Sequence, residues 1–123
     1  MSARIVPMIH VPNVAATADW YVSIGFAIEG VNRECEDGDI DWALLRLGES
    51  EIMLSAGGRA SSDPRRECDL YIHVDDVDGL RAHLDGKAEV VEDLHDTFYG
   101  RREFIIRDYN RFWITFGQPA LAK

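Results

Sequence analysis

Most of this chain alternates between apolar and polar residues with period two, and two stretches keep helical spacing instead. Residues 4–11 are apolar and β-branched, with Pro7 tolerable near a strand start or edge. Ala15 to Ile24 reads as a helix, with Trp20, Tyr21 and Ile24 on one stripe and Gly25 as its stop. Phe26–Val31 reads as a strand, and the acidic, glycine-containing stretch from Arg33 to Asp41 as a turn. Trp42–Leu47 and Glu51–Ser55 are strands joined through Gly48-Glu49-Ser50. After a linker the order repeats: strand Leu70–Val74, helix Val77–Leu84, strand Glu89–Asp93, loop His95–Gly100, strand Arg102–Arg107, turn 108–111, strand Phe112–Gly117. Asn13 and Asp76 stand where each can cap the helix that follows.

The repetition extends to the residues themselves. Met8-Ile9-His10-Val11-Pro12-Asn13-Val14 returns 63 positions later as Tyr71-Ile72-His73-Val74-Asp75-Asp76-Val77. The expected fold is therefore α+β, from two βαβββ modules forming curved mixed sheets around a cleft. Module 1 spans about 4–56, the linker 57–67 and module 2 about 68–118, within a single domain, 1–123.

Strand alternation then assigns faces. Ile52, Leu54, Leu70, Ile72, Val74, Phe112, Ile114 and Phe116 should face the helices and make the core, with Trp20 buried among them. The opposite face carries Met8, His10, Glu51, Met53, Ser55, Asp69, Tyr71, His73, Trp113 and Thr115. Aromatic, acidic and imidazole groups on one face are the composition of a ligand site, with flat apolar walls and a few polar anchors.

Charge and cysteine usage narrow the partners. Thirteen basic against 22 acidic residues give a net charge of −9. That field repels phosphate backbones and argues against nucleic acid. It favours cationic small molecules, although an acidic surface also serves solubility alone. No apolar run reaches the roughly 20 residues of a membrane helix. Met1-Ser2-Ala3-Arg4-Ile5 shows no apolar signal core, and Cys35 and Cys68 lie far apart without CxxC spacing. A cytoplasmic protein with two unpaired thiols and no membrane partner is expected.

Candidate chemistry sits on the mixed face. Flat ligands stack on aromatic rings, so Trp42, Tyr71, Phe98, Tyr99 and Trp113 are candidates, with Trp42 and Trp113 foremost. Glu51, Asp69 and Glu103 can oppose ligand charge, and a desolvated one could act as a base; solvated rim charges are the plainer reading for each alone. The acidic run from Glu34 to Asp41, next to Trp42, is a solvated loop or a cation-attracting lip. His10 and His73 occupy matched positions and read as polar anchors, or as satisfied histidines. No phosphate loop, nucleophile elbow or Ser-His-Asp set is legible.

The paired βαβββ pattern, strands followed by Val-Pro-Asn-Val or Val-Asp-Asp-Val, Trp20-Tyr21, and Gly25-Phe26 resemble the vicinal-oxygen-chelate superfamily of glyoxalases, extradiol dioxygenases and bleomycin-resistance proteins. Tyr99-Gly100-Arg101-Arg102-Glu103-Phe104 with Arg107-Asp108 is most similar to the bleomycin-resistance branch. The resemblance implies a homodimer. It also carries the superfamily's four metal-ligand positions onto Val6, Met53, Asp69 and Thr115. Valine has no donor, methionine is a soft thioether and threonine a poor ligand, so no metal and no cofactor are expected. The expected function is metal-free binding of a small aromatic molecule, a cationic one among the options, by sequestration as in antibiotic resistance. Its contacts would be His10, Trp42, Glu51, Met53, Asp69, Tyr71, His73, Tyr99, Glu103, Trp113 and Thr115. The alternative is a lyase, isomerase or dioxygenase of the same fold with a non-standard metal set, which would need three of His10, Glu51, Asp69, His73 and Glu103 to converge.

Overall fold

The computed structural model describes residues 1–121. The chain divides into two compact units, the first Met1–Ala60 and the second beginning at Ser61. Each holds one four-stranded sheet and one helix, an α+β arrangement in which every element of the βαβββ reading is present.

In the first unit β1 (Met8–His10) leads into α1 (Val14–Ser23), followed by β2 (Ala27–Arg33), β3 (Ile40–Leu47) and β4 (Ser50–Ser55). The sheet order is β1-β4-β3-β2, with β1 and β4 parallel and the other pairs antiparallel. The Asn13 side chain caps α1 by accepting from the Ala16 amide at 2.9 Å. Val14, Thr17, Ala18 and Tyr21 form its buried stripe. Gly25, at φ +118°, turns the chain so that the Phe26 amide reaches the Tyr21 carbonyl at 3.0 Å. An L side chain is strained at that φ. The first strand is shorter than expected, because only Met8–His10 find ladder partners on β4. Trp20 is a correction: it is half-buried, edge-on to Tyr21, which takes the core position itself.

In the second unit β5 (Asp69–His73), α2 (Val77–His83), β6 (Glu89–Asp96), β7 (Arg101–Arg107) and β8 (Trp113–Pro119) build a sheet of order β5-β8-β7-β6. Asp76 caps α2 by accepting from the Gly79 amide at 3.0 Å. Phe104 and Phe116 are register partners and stack at 5.2 Å in a core that also holds Val77, Leu84, Ile106, Ile114 and Phe112. Two expectations change here. Leu70, Ile72 and Val74 are half-buried, because β5 is an edge strand and seven-residue α2 covers little of it. His95 and Asp96 belong to β6 rather than to a loop, since two register irregularities let the strand continue opposite Glu103 and Arg102. The connection shrinks to residues 97–100, closed by Gly100 at φ +82°.

The two sheets repeat each other in register. Met8 pairs with Met53 and His10 with Ser55 in the first; Tyr71 pairs with Thr115 and His73 with Gly117 in the second. The matched histidines thus stand at equivalent ladder positions, as the duplicated segment implies.

Candidate functional site

Both units turn one sheet face to a helix and the other outward. In the first, Glu51, Met53 and Ser55 alternate with the buried Ile52 and Leu54, and share their face with Met8, His10, Leu44 and Trp42. His10 and Trp42 flank Ser55 from its two ladder partners, so imidazole and indole are brought to one end of this face. The His10 Nδ1 lies 3.4 Å from the Ala56 carbonyl. Met53 sits between Met8 and Leu44, an apolar patch. Glu51 is committed elsewhere: Arg46 reaches it at 3.1 Å and Arg4 at 2.5 Å, and Arg46 also binds Glu29. These bonds hold the Glu29 carboxyl below its ordinary range, chiefly through Arg46.

The second unit gathers more. Glu103 is buried, yet its two oxygens are each satisfied by a phenol: Tyr71 donates to Oε2 at 2.5 Å and Tyr99 to Oε1 at 2.6 Å. Arg101 donates from Nε to the Tyr71 hydroxyl at 3.1 Å and brings Nη2 within 2.9 Å of His73 Nδ1. One continuous network therefore links His73, Arg101, Tyr71, Glu103 and Tyr99. Burial, then the bond to Glu103, pushes the Tyr71 phenol up; for Tyr99 the bond to Glu103 is the leading cause of the same shift. The Glu103 carboxylate is thus tied through both of its oxygens, and the two phenols fix its orientation.

A second cluster lies at the other end of β5. Asp69 and Trp113 are register partners, and the linker residue Arg65 sits on both. Its guanidinium carbon is 4.2 Å from the centroid of the Trp113 ring, and its Nε and Nη2 bind the two oxygens of Asp69. The Pro64 carbonyl accepts from Trp113 Nε1 at 3.0 Å and from Arg107 Nε at 2.8 Å. Thr115 stands between the clusters, paired with Tyr71 on one side and Ile105 on the other.

The expected residues thus fall into three groups: His10, Trp42 and Met53 on the first face, Tyr71, His73, Tyr99 and Glu103 in one network, and Asp69 with Trp113 under Arg65. Arg65 and Arg101 carry no ligand reading in the sequence, although Arg101 stands inside the Tyr99-to-Phe104 motif, two residues from Glu103 on the same strand face. Phe98 is 99% exposed at the hairpin tip and meets the second group only through its edge-on contact with Tyr99.

The four positions that the resemblance assigns to metal do not fit one. Val6 has no side-chain donor, Met53 offers a soft thioether and Thr115 only a weakly coordinating hydroxyl, and the Asp69 carboxylate is taken by Arg65. Among the described residues no group of three or more His, Cys, Asp or Glu side chains is placed to hold a metal ion. Among them too, no helix is long and apolar enough to cross a membrane.

A family model for the glyoxalase/bleomycin resistance protein/dioxygenase superfamily matches residues 4–116. No curated protein sequence matches the chain. Among solved structures, TioX from Micromonospora sp. ML1 is similar with a TM-score of 0.76 at 23% identity, over 96% of this chain and 99% of that one. The bleomycin-binding protein complexed with bleomycin gives a TM-score of 0.74 at 14% identity, covering 95% of this chain and 98% of its own. The bleomycin-binding protein of Streptomyces verticillus, complexed with copper(II)-bleomycin, gives 0.72 at 20%, covering 99% and 98%. At these identities the likeness is one of fold. With the family model spanning both βαβββ units, the chain belongs to the glyoxalase/bleomycin resistance protein/dioxygenase superfamily.

Proposed function

We propose that this chain binds and sequesters a small aromatic molecule, preferentially a cationic one, without transforming it. The observation that carries the reading is the state of Glu103. This buried carboxylate stands on the outward face, where a general base would stand, yet both its oxygens are held by Tyr71 and Tyr99. A carboxylate tied through both oxygens is suited to anchoring side chains rather than to meeting a substrate proton. What remains available on the two faces is indole, phenol and imidazole surface with a negative overall field. These are groups that hold a flat, basic compound by stacking and charge. Two relatives in fold are bleomycin-binding proteins, which supports small-molecule binding as the use of this scaffold. Free Cys35 and Cys68 support a reducing cytoplasm, and the resemblance supports a homodimer, which light scattering tests.

The test is a thermal-shift and tryptophan-fluorescence screen of aromatic and basic compounds, bleomycin included, with mass spectrometry of the recovered ligand. Sequestration predicts saturable binding, a stoichiometric complex and an unchanged compound. Conversion of the ligand, or stoichiometric metal in the purified protein that is required for binding, would overturn the reading. So would binding unaltered by both Trp42→Ala and Trp113→Ala.

A further inference from the structure

We propose that Asp69 and Trp113 form a receptor for a planar cation, a guanidinium or amidinium, which Arg65 fills from within the chain and which an external ligand of that class enters by displacing Arg65. The inference rests on the small-molecule reading above and names the chemical class that one end of the second face accepts.

The walls of this receptor stand on the sheet. Asp69 on β5 and Trp113 on β8 face each other as ladder partners, so their spacing is set by a parallel pair of strands and not by the linker. The Trp113 ring is further fixed by its Nε1 bond to the Pro64 carbonyl. A carboxylate beside an indole face is a geometry specific to flat cations: the carboxylate takes two N–H groups of the fork while the ring's negative face meets the π-surface. Arg65 satisfies both halves at once, with Nε and Nη2 on the Asp69 oxygens and its guanidinium over the ring. Contact with Asp69 holds the Arg65 guanidinium above its ordinary value, so this site favours the charged form.

The occupant, in contrast, is not what holds the linker down. Arg66 does that: its side chain is 2% exposed, stacks on Phe112 at 4.5 Å and donates to the Asn110 carbonyl at 3.1 Å. The Pro64 carbonyl adds bonds from Trp113 and Arg107. Arg65 stands between these anchors with its side chain 54% exposed, free to swing out while its neighbours stay docked. It acts as a tethered competitor whose effective concentration is on the order of millimolar for so short a connection.

The probe is benzamidine, with neutral benzamide as control, followed by tryptophan fluorescence and by thermal shift on the full chain. Arg65→Ala should bind benzamidine at least tenfold more tightly than the unaltered chain, and benzamide no better. Arg65→Lys, which keeps the charge but loses the planar fork, should fall between. Adding Asp69→Asn or Trp113→Leu to Arg65→Ala should abolish the gain. Equal affinity of Arg65→Ala and the unaltered chain overturns the proposal, as does a gain that survives Asp69→Asn. Because the probe is defined, these outcomes are independent of the screen for a natural ligand. Hits there without unmasking here would leave sequestration standing and remove the internal competitor.

Discussion

Tyr71 and Glu103 stand on strands that do not touch, β5 and β7, yet the Tyr71 hydroxyl reaches Glu103 Oε2 at 2.5 Å across the strand between them. The reach exists because β8 carries no side chain at Gly117. A Cβ there would lie 2.9 Å from Tyr71 Cζ and 3.2 Å from Glu103 Cγ. The glycine is needed for space, since its φ is outside the left-handed region. Gly117→Ala should therefore cost about 1–3 kcal/mol, as overpacking does, and displace the phenol from the carboxylate. Urea denaturation measures the cost. In a Tyr71→Phe background the same substitution should cost less than alone, because part of the clash and the bond to be broken are already gone. Equal costs in both backgrounds would show that Gly117 serves something other than this approach.

The turn that returns β7 to β8 depends on one carboxylate. Asp108 is buried, and its Oδ1 accepts from the Asn110 amide at 2.8 Å and the Phe112 amide at 2.9 Å. Asp108→Ala leaves both amides without that partner in a part of the chain that holds Phe112 in the core, and should cost about 2 kcal/mol or more. Asp108→Asn retains an oxygen in the same place and should recover most of the loss. Paired thermal melts of the two variants distinguish the hydrogen-bond account from simple loss of charge. If Asn fares no better than Ala, the acceptor account fails.

Helix α2 offers a case in which an ordinary rule should not apply. Glycine inside a helix is generally worse than alanine by about 1 kcal/mol. At Gly79, however, a Cβ would come 2.8 Å from Cγ of Asp76, the residue whose Oδ1 caps the Gly79 amide. Gly79→Ala would gain propensity but evict the cap, which is itself worth about 1 kcal/mol. The expected net change in stability is near zero. In an Asp76→Ala background, where no cap remains to lose, Gly79→Ala should stabilise by about 1 kcal/mol. A full gain in the unaltered chain would show that Asp76 turns aside at no cost.

The fold was legible because period and punctuation agree along the chain. Ile-His-Val recurs at matched register, Asn13 and Asp76 cap as their side chains allow, and Gly25 and Gly48 stand where positive φ is needed. Faces were legible wherever a strand is flanked on both sides, as for Ile52 and Leu54 or Ile114 and Phe116. They blurred on the edge strand β5, where alternation predicts direction but not the depth of cover. The site was legible as residue types and not as partnerships. Nothing in the spacing of Arg65 and Trp113 announces that the linker folds back over the sheet, because that contact spans nearly the length of the module and is made by a segment that composition reads only as a linker. Likewise Tyr99 and Glu103 can be placed on one hairpin from sequence, whereas Tyr71 joins them only once the absence of a side chain at Gly117 is known to leave the path open.

Alkaline titration tests the Glu103 network as a whole. The Tyr71 and Tyr99 phenols are both raised above their ordinary value in the folded chain. A raised folded value means that the stability these bonds confer is fully present below about pH 10, the unfolded phenol range, and is lost as pH climbs through the folded values. Unfolding free energy should therefore hold through neutrality and decline above that point, more steeply than in a Tyr71→Phe/Tyr99→Phe double variant. The two phenols should also respond differently to Glu103→Gln. Tyr99 owes its shift first to the Glu103 bond, so its ionisation, followed by absorbance near 295 nm and assigned by single Phe variants, should move down markedly. Tyr71 owes its shift first to burial, so it should move less. If Glu103→Gln lowers both phenols by the same amount, burial is not the leading cause at Tyr71 and the carboxylate governs the whole network. If it moves neither, the phenols are held protonated by something other than Glu103, and the closed network that supports sequestration over catalysis loses its centre.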